Sequence, residues 1–349
     1  MPSSPWIRFA ISVTCLVFGL ALGRLLVGAL LDGLTEGPVP VPQVDATWDC
    51  LEAARDRIDT VVVGSSLTWR HVEPDSFAEG ASSRGVPLRP YTLGVQGMTV
   101  FEQVRLVDRL LENPHGSLRV IVLEARPVAV MGWDNAFTDR AMRGAVWDEM
   151  HAAVGFHLAS EERLKKRVDR ALPFAVGWAA RSTDTGRLSA VLMPPLDVPT
   201  ESEAARGCAQ DGFFPLEWSE EQDVRARREA FLADERPWSV DVEPAERPDD
   251  VWIELYAALV GRVTDAGLTC IVYVPPSVLQ LEPLRGLASV ADEAFAGAPV
   301  VSFLPEDLGA SLYTRDVRFD REHLLLPAAR ELSRTLGASV ADALRAEGR

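Results

Sequence analysis

The sequence predicts an α/β protein built on a mostly parallel sheet with helices on both faces, and three patterns carry that expectation. Short, fully apolar runs at 60–63, 120–123 and 269–274 have the length and β-branched content of buried strands. Segments of helical spacing lie between several of them, as at Val100, Val104, Val107, Leu110 and Leu111. The hydrophobic content of 47% supplies enough apolar side chains for a large core. Such alternation stacks into three layers, α/β/α, and ligands of such sheets bind beyond the carboxyl ends of the strands.

Taken in order, the chain begins with an apolar run over 9–31 in which Arg24 is the only charge. At about 1.5 Å per residue the run can cross about 30 Å of hydrocarbon, which predicts a single-pass membrane anchor over 1–32. Arg24 lies nearer the C-terminal end, where a long side chain can snorkel to the headgroups. The alternatives are a cleaved signal peptide, since Arg8 precedes the run, and a core helix of a cytosolic protein; no small-x-small cleavage site follows. Gly19 and Gly23 form a G-x-x-x-G pair of the kind that packs membrane helices, a pattern that also arises by chance. Arg8 before the run and Asp32 and Glu36 after it put the bulk of the chain outside the cytoplasm, in a periplasm or at a cell surface. Alternating prolines at 38, 40 and 42 predict an extended spacer over 33–45 that lifts the next domain off the membrane.

Residues 46–349 read as that domain. The strand at 60–63 runs into Gly64, so Ser66 stands at a strand's carboxyl end. A second strand at 89–93 is weakened by Pro90, and a helix follows until Asn113-Pro114 stops it. Beyond the strand at 120–123 the alternation lapses, which predicts a largely helical insertion over about 127–248 with helices at 161–171 and 219–235. Such an insertion, packed over the sheet's carboxyl edge, would shape a substrate site. The strand at 269–274 and a weaker one at 300–304 restore the pattern.

The net charge of −16 opposes a phosphate backbone, and no basic stripe with interleaved aromatics offsets it, so nucleic acid is excluded as the expected partner. His151 and His157 lie six apart, which is not a metal-binding spacing, and no cysteine or carboxylate set completes a zinc site; no metal and no cofactor are expected. Of the four cysteines, Cys15 falls in the apolar run and Cys270 in a buried strand. Cys50 and Cys208 remain, as a disulfide pair or as two free thiols.

The two ends of this domain carry halves of one device. Ser66 follows the first strand, and Asp320 and His323 precede a C-terminal helix. A serine hydroxyl is a weak nucleophile near neutral pH; a histidine base and a carboxylate that fixes the ring's tautomer activate it, and backbone donors stabilise the oxyanion that forms. Three residues apart at an irregular helix entry, Asp320 can reach Nδ1 of His323 while Nε2 faces the serine. The structural alternatives are that Ser66 merely caps a helix and that His323 is a solvated surface residue with Asp320 as a cap. Ser65 is the poorer nucleophile, because the middle residue of such a turn points aside. His71 reads as a surface residue rather than a pocket one. Trp133, Trp147, Trp178 and Trp238 suit either sugar stacking or core packing, and the charge runs 161–166 and 225–229 read as solvated helix faces.

The segment VVVGSSLTWRHVEP resembles the first block of the SGNH (GDSL-like) hydrolase superfamily, TLGVQGMT resembles its second, and Asp320-x-x-His323 resembles its last. The resemblance covers 58–125 and 250–345. It implies a flavodoxin-like sheet, the triad Ser66, His323 and Asp320, and an oxyanion hole from the NH groups of Ser66 and Gly97. The asparagine that such proteins usually carry after the third strand is absent; VIVLEARPVAVMGWDN offers Arg126 or Asn135 as a substitute donor. In that departure, and in the N-terminal anchor, the chain looks closest to the membrane-anchored branches that esterify or transfer acyl groups on cell-envelope polymers. The resemblance therefore implies an ester or acylated-carbohydrate substrate and a membrane-bound acyltransferase partner. A catalytically impaired binding or assembly protein of the cell envelope on the same fold is the alternative.

Overall fold

The computed structural model describes residues 42–112, 116–127, 147–160, 163–182, 206–219, 223–234 and 250–348, with a few isolated positions elsewhere. The apolar run 9–31, Asn135, Trp133 and Cys15 lie outside these stretches. Among the described residues no helix is long and apolar enough to cross a membrane. The chain divides into two compact units, Met1–Pro42 with Val130–Val198, and Gln43–Ala129 with Pro199–Arg349.

The larger unit holds a parallel sheet of five strands in the order β2-β1-β3-β4-β5. The strands are β1 (Thr60–Gly64), β2 (Pro90–Gly94), β3 (Val120–Glu124), β4 (Thr269–Val274) and β5 (Val300–Ser302). β1 lies between β2 and β3, with Gly64 opposite Gly94 and Val63 opposite both Leu93 and Leu123. Every residue of β1 to β4 is buried, which is why these segments read as continuous apolar runs rather than alternating ones. A buried Val, Ile or Leu contributes about 1.5–3 kcal/mol relative to an exposed one, so the strands contribute substantially to the core. Pro90, which weakened the second strand on sequence grounds, is the first residue of an edge strand, where a missing N–H costs no ladder bond.

The helices of this unit are α1 (Pro42–Ala54), α2 (Ser66–His71), α3 (Pro74–Ser83) and α4 (Val100–Glu112), and further along the chain α7 to α11. α1 starts at Pro42, a residue suited to the first helical turn, so the last part of the expected 33–45 spacer is helix rather than extended chain. α3 packs against β2 and α4 against β1. α7 (Val224–Ala233) is shorter than the helix expected over 219–235. α8 (Asp250–Asp265) packs on α4 and β4; α9 (Leu281–Ala288) and α10 (Ala291–Ala294) follow β4. α11 (Leu326–Ala346) packs on α3, β4 and β5. α3 and α11 pack on one another, as do α4 and α8.

Segment 206–219 of the expected insertion belongs to this unit. Its Asp211 carbonyl accepts the Thr92 N–H at 2.8 Å on the free edge of β2, and Phe214 N–H donates to the Trp69 carbonyl at 3.0 Å. Cys208 in this segment forms a disulfide with Cys50 of α1, at a Cα separation of 5.3 Å, which settles the two readings of that pair.

The smaller unit contains a helical hairpin of α5 (Trp147–Ala159) and α6 (Leu164–Ser182). α6 begins three residues later than the helix expected from 161 and runs on to 182. Trp147 meets Trp178 edge to face at 5.1 Å, and His157 is buried between Phe156 and Phe174.

Candidate active site

β1 ends at Gly64 because nothing larger fits: a Cβ there would run into the Thr68 hydroxyl and the Glu124 carboxylate. Ser65 follows in extended conformation and is the N-cap of α2, accepting the Leu67 N–H at 3.1 Å. Ser65, not Ser66, therefore does the capping. Ser66 occupies the first helical position, and its Oγ lies 3.1 Å from Nε2 of His323, a residue 257 positions away in sequence. The middle residue of the Gly-Ser-Ser turn points aside as expected, its hydroxyl donating to Glu124 Oε1 at 2.6 Å.

His323 sits in a tight loop before α11. The Phe319 N–H donates to the His323 carbonyl at 2.8 Å, and Arg318 bridges to Leu324, so residues 318–324 fold back on themselves. Nδ1 of His323 lies 3.1 and 3.0 Å from the two Asp320 oxygens, and Asp320 Oδ1 also accepts the N–H groups of Glu322 and His323, each at 2.7 Å. Burial alone would raise the Asp320 pKa, but the His323 side chain and these two amides outweigh it and hold the carboxyl well below its ordinary range. Asp320 is thus an anion fixed at one edge of an imidazole whose other nitrogen meets the serine. Neither His323 nor Asp320 is simply a solvated pair: their side chains are 13% and 27% exposed.

Two residues brace this loop from behind. Arg318 is fully buried and, among the described residues, donates to main-chain carbonyls, those of Leu312 at 2.8 Å, Pro276 at 3.1 Å, Glu322 at 3.2 Å and Arg321 at 3.4 Å. Loss of water around the guanidinium lowers its pKa to about 10, the neighbouring Tyr313, Asp320 and Glu322 opposing that shift. His71, read from sequence as a surface residue, is instead fully buried at the end of α2, and its Nε2 accepts the Leu324 N–H at 2.9 Å. Helical position explains the correction: α2 turns the side chain of His71 inward, under the catalytic loop, with its ring 6.0 Å from that of His323.

The expected oxyanion donors divide. Within α2 the Leu67 N–H is taken by Ser65 and the Thr68 N–H by Glu124 Oε2 at 3.0 Å, while Ser66 N–H has neither of these partners. Gly97 lies in the turn just after β2, where Val95 N–H donates to the Gly64 carbonyl at 3.0 Å. Its φ of 62° favours glycine, and a Cβ would meet open space, so the backbone there is accessible. Arg126 is buried and pairs with Glu124, Nη1 to Oε1 at 3.2 Å. Asn135 lies outside the described residues.

At the carboxyl end of β3, where the sequence shows Glu124 in place of the expected asparagine, the structure reveals a role that sequence reasoning did not assign. Glu124 is fully buried and points at the nucleophile turn, accepting from Ser65 N at 2.9 Å, Thr68 N at 3.0 Å, the Ser65 and Thr68 hydroxyls, and Tyr273 OH at 3.3 Å. Burial, ahead of the nearby carboxylate, pushes the Tyr273 phenol well above its ordinary pKa, so the phenol remains a donor. Gln103 of α4 donates to the carbonyls of Val63 and Glu124, each at 3.0 Å, satisfying the ends of two strands. A carboxylate ending an apolar strand beside a Gly-Ser-Ser turn was the available signal.

The charge run 225–229 is not only a solvated face. Arg227 Nη2 lies 3.9 Å from Asp320 Oδ2, and Arg228 Nη2 donates to the Arg315 carbonyl at 3.3 Å. Trp238 is half-buried, donating to the Tyr313 carbonyl at 2.7 Å beside Phe231. Among the described residues no group of three or more His, Cys, Asp or Glu side chains gathers as a metal ion would require. In comparisons with known proteins, no family model and no curated sequence matches this chain.

Proposed function

We propose that this chain is a serine esterase or O-acyltransferase of the SGNH type, tethered to a membrane with its catalytic unit outside the cytoplasm. The observation that carries the reading is the contact of Ser66 Oγ with Nε2 of His323 at 3.1 Å, on a ring whose Nδ1 is held by Asp320. Ser66 Oγ attacks the ester carbonyl carbon while Nε2 takes its proton. The oxyanion is met by the N–H groups of Ser66 and Gly97, and its collapse expels the alcohol, which receives the proton back from His323. Water or a sugar hydroxyl, deprotonated by the same ring, then releases the acyl group from Ser66. The substrate is an ester or acylated carbohydrate. The order of the five strands supports a flavodoxin-like sheet, and the Cys50–Cys208 disulfide favours an oxidising compartment. A membrane-bound acyltransferase that delivers acyl groups is the partner this reading implies.

A second reading, a non-catalytic binding or assembly protein of the cell envelope on the same fold, has one observation in its favour. Near where a third oxyanion donor would stand, at the end of β3, the chain places Glu124, an acceptor. Intact-mass spectrometry after exposure to a small acyl ester separates the two: a mass increase that Ser66→Ala abolishes supports the enzyme. Inertness of the folded wild type towards both acyl esters and fluorophosphonates leaves the binding protein.

A further inference from the structure

Ser66 is flanked by two residues bound to one buried carboxylate. Glu124 Oε2 accepts the N–H groups of Ser65 and Thr68, at 2.9 and 3.0 Å, and Oε1 accepts the Ser65 hydroxyl at 2.6 Å. These bonds fix the turn from β1 into α2, and with it the direction of Ser66 Oγ and N–H. They also create a difficulty. An anion buried directly behind the nucleophile repels the oxyanion that the first chemical step generates, and inside a protein that repulsion is weakly screened.

Arg126, two residues further along the same strand end, answers it. Its guanidinium meets Glu124 Oε1 at 3.2 Å, with side-chain exposures of 8% and 0% for the pair. Its main-chain N–H is held by Tyr256 OH at 2.8 Å, so the residue is anchored from α8. The buried Arg126 Nε has no hydrogen-bond partner among the described residues, so the guanidinium's one described partner is Glu124. We propose that Glu124 and Arg126 are paired positioning residues for Ser66: the carboxylate sets the nucleophile turn, and the guanidinium cancels its charge so that the oxyanion can form. The sequence's departure at the end of β3 is then a support for the nucleophile rather than a missing donor. This rests on the esterase reading above.

The test is the rate of fluorophosphonate labelling of the full chain in detergent, with a thermal melt recorded for each variant. Arg126→Met leaves the carboxylate uncompensated and is expected to slow labelling by at least about tenfold. Adding Glu124→Gln removes the charge but keeps an acceptor for the two amides, so Glu124→Gln/Arg126→Met is expected to recover most of that loss. A purely structural role would restore the melting temperature in the double variant and leave the labelling rates of the folded variants alike, so rates are compared at a temperature where every variant is folded. Wild-type labelling in Arg126→Met, or a double variant no faster than the single one, overturns the proposal. Should Arg126→Met not fold, a folded double variant labelled within about tenfold of wild type supports it, and a folded but unlabelled one overturns it. If the wild type itself is not labelled, the esterase reading fails and the pairing falls with it, an outcome distinct from a labelled wild type with unchanged variants.

Discussion

Nε2 of the buried His71 accepts the main-chain N–H of Leu324 at 2.9 Å, joining the end of the nucleophile helix to the loop that carries His323. The two halves of the site are thus linked by a second histidine as well as by the Ser66–His323 contact. Only a neutral His71 offers the lone pair, and its surroundings enforce that state. Burial first, then the nearby His323 and Arg318, depress its pKa well below the ordinary value.

A pH dependence follows. Because the folded pKa of His71 lies below the unfolded one, the unfolded chain binds the extra proton first, and stability falls as pH drops from about 6.5. The slope has a limit of about 1.4 kcal/mol per pH unit until the folded value is reached. Asp320 acts separately, since its depressed pKa gives stability that is lost only as pH falls below about 4. Urea unfolding at pH 7.5 and 5.5 checks this: wild type should weaken at the lower pH, and His71→Gln, which keeps an acceptor but does not titrate, should weaken less.

Replacing Ser66 by Ala should abolish fluorophosphonate labelling while leaving stability within about 1 kcal/mol, because the hydroxyl is only partly buried. Asp320→Asn keeps an acceptor for the Glu322 and His323 amides but disfavours the tautomer with a proton on Nδ1, so the labelling rate should fall on the order of 10⁴-fold. A folded Asp320→Asn labelled at the wild-type rate would remove Asp320 from the mechanism.

Arg318→Met should destabilise the protein by about 3 kcal/mol or more, since two buried and two part-buried carbonyls lose their donor. The loop carrying His323 should also loosen, so labelling slows even at temperatures where the protein stays folded. Arg318→Lys should fall between, one ammonium being unable to reproduce the fork. Melting curves and labelling rates measured on the same samples separate the two effects.

The Cys50–Cys208 bridge spans 158 residues, and closing a loop of that size restricts the unfolded chain by roughly 5 kcal/mol in the chain-entropy account. Reduction should therefore lower the melting temperature markedly. Cys270 should not react with iodoacetamide until the protein unfolds, because burial in β4 raises its thiol pKa to about 12.

Much of the fold was legible because the sheet is parallel and buried on both faces, so its strands read as unbroken apolar runs. Thr60–Gly64, Val120–Glu124 and Thr269–Val274 lie where the apolar runs placed strands. Pro90 obscured β2 because a local rule against proline in strands is relaxed at an edge, and edges are set by strand order. Segment 206–219 carried no strand or helix signal of its own. Its place depends on main-chain bonds to Thr92 and Trp69, which no side-chain pattern announces, and on the Cys50–Cys208 bridge, which the sequence offered as one of two readings.

By itself, the sequence determined the α/β alternation, the serine turn after a buried strand and the Asp-x-x-His loop before the last helix, because each rests on local periodicity or short spacing. Only the tertiary structure decided that Ser66 meets His323 across 257 positions, that His71 and Arg318 are buried behind the loop, and that Glu124 and Arg126 pair beneath the turn. Those outcomes turn on which side chains meet across the ends of β1, β3 and β4. Side-chain direction over such distances is set by packing of the whole sheet, not by any stretch of neighbouring residues.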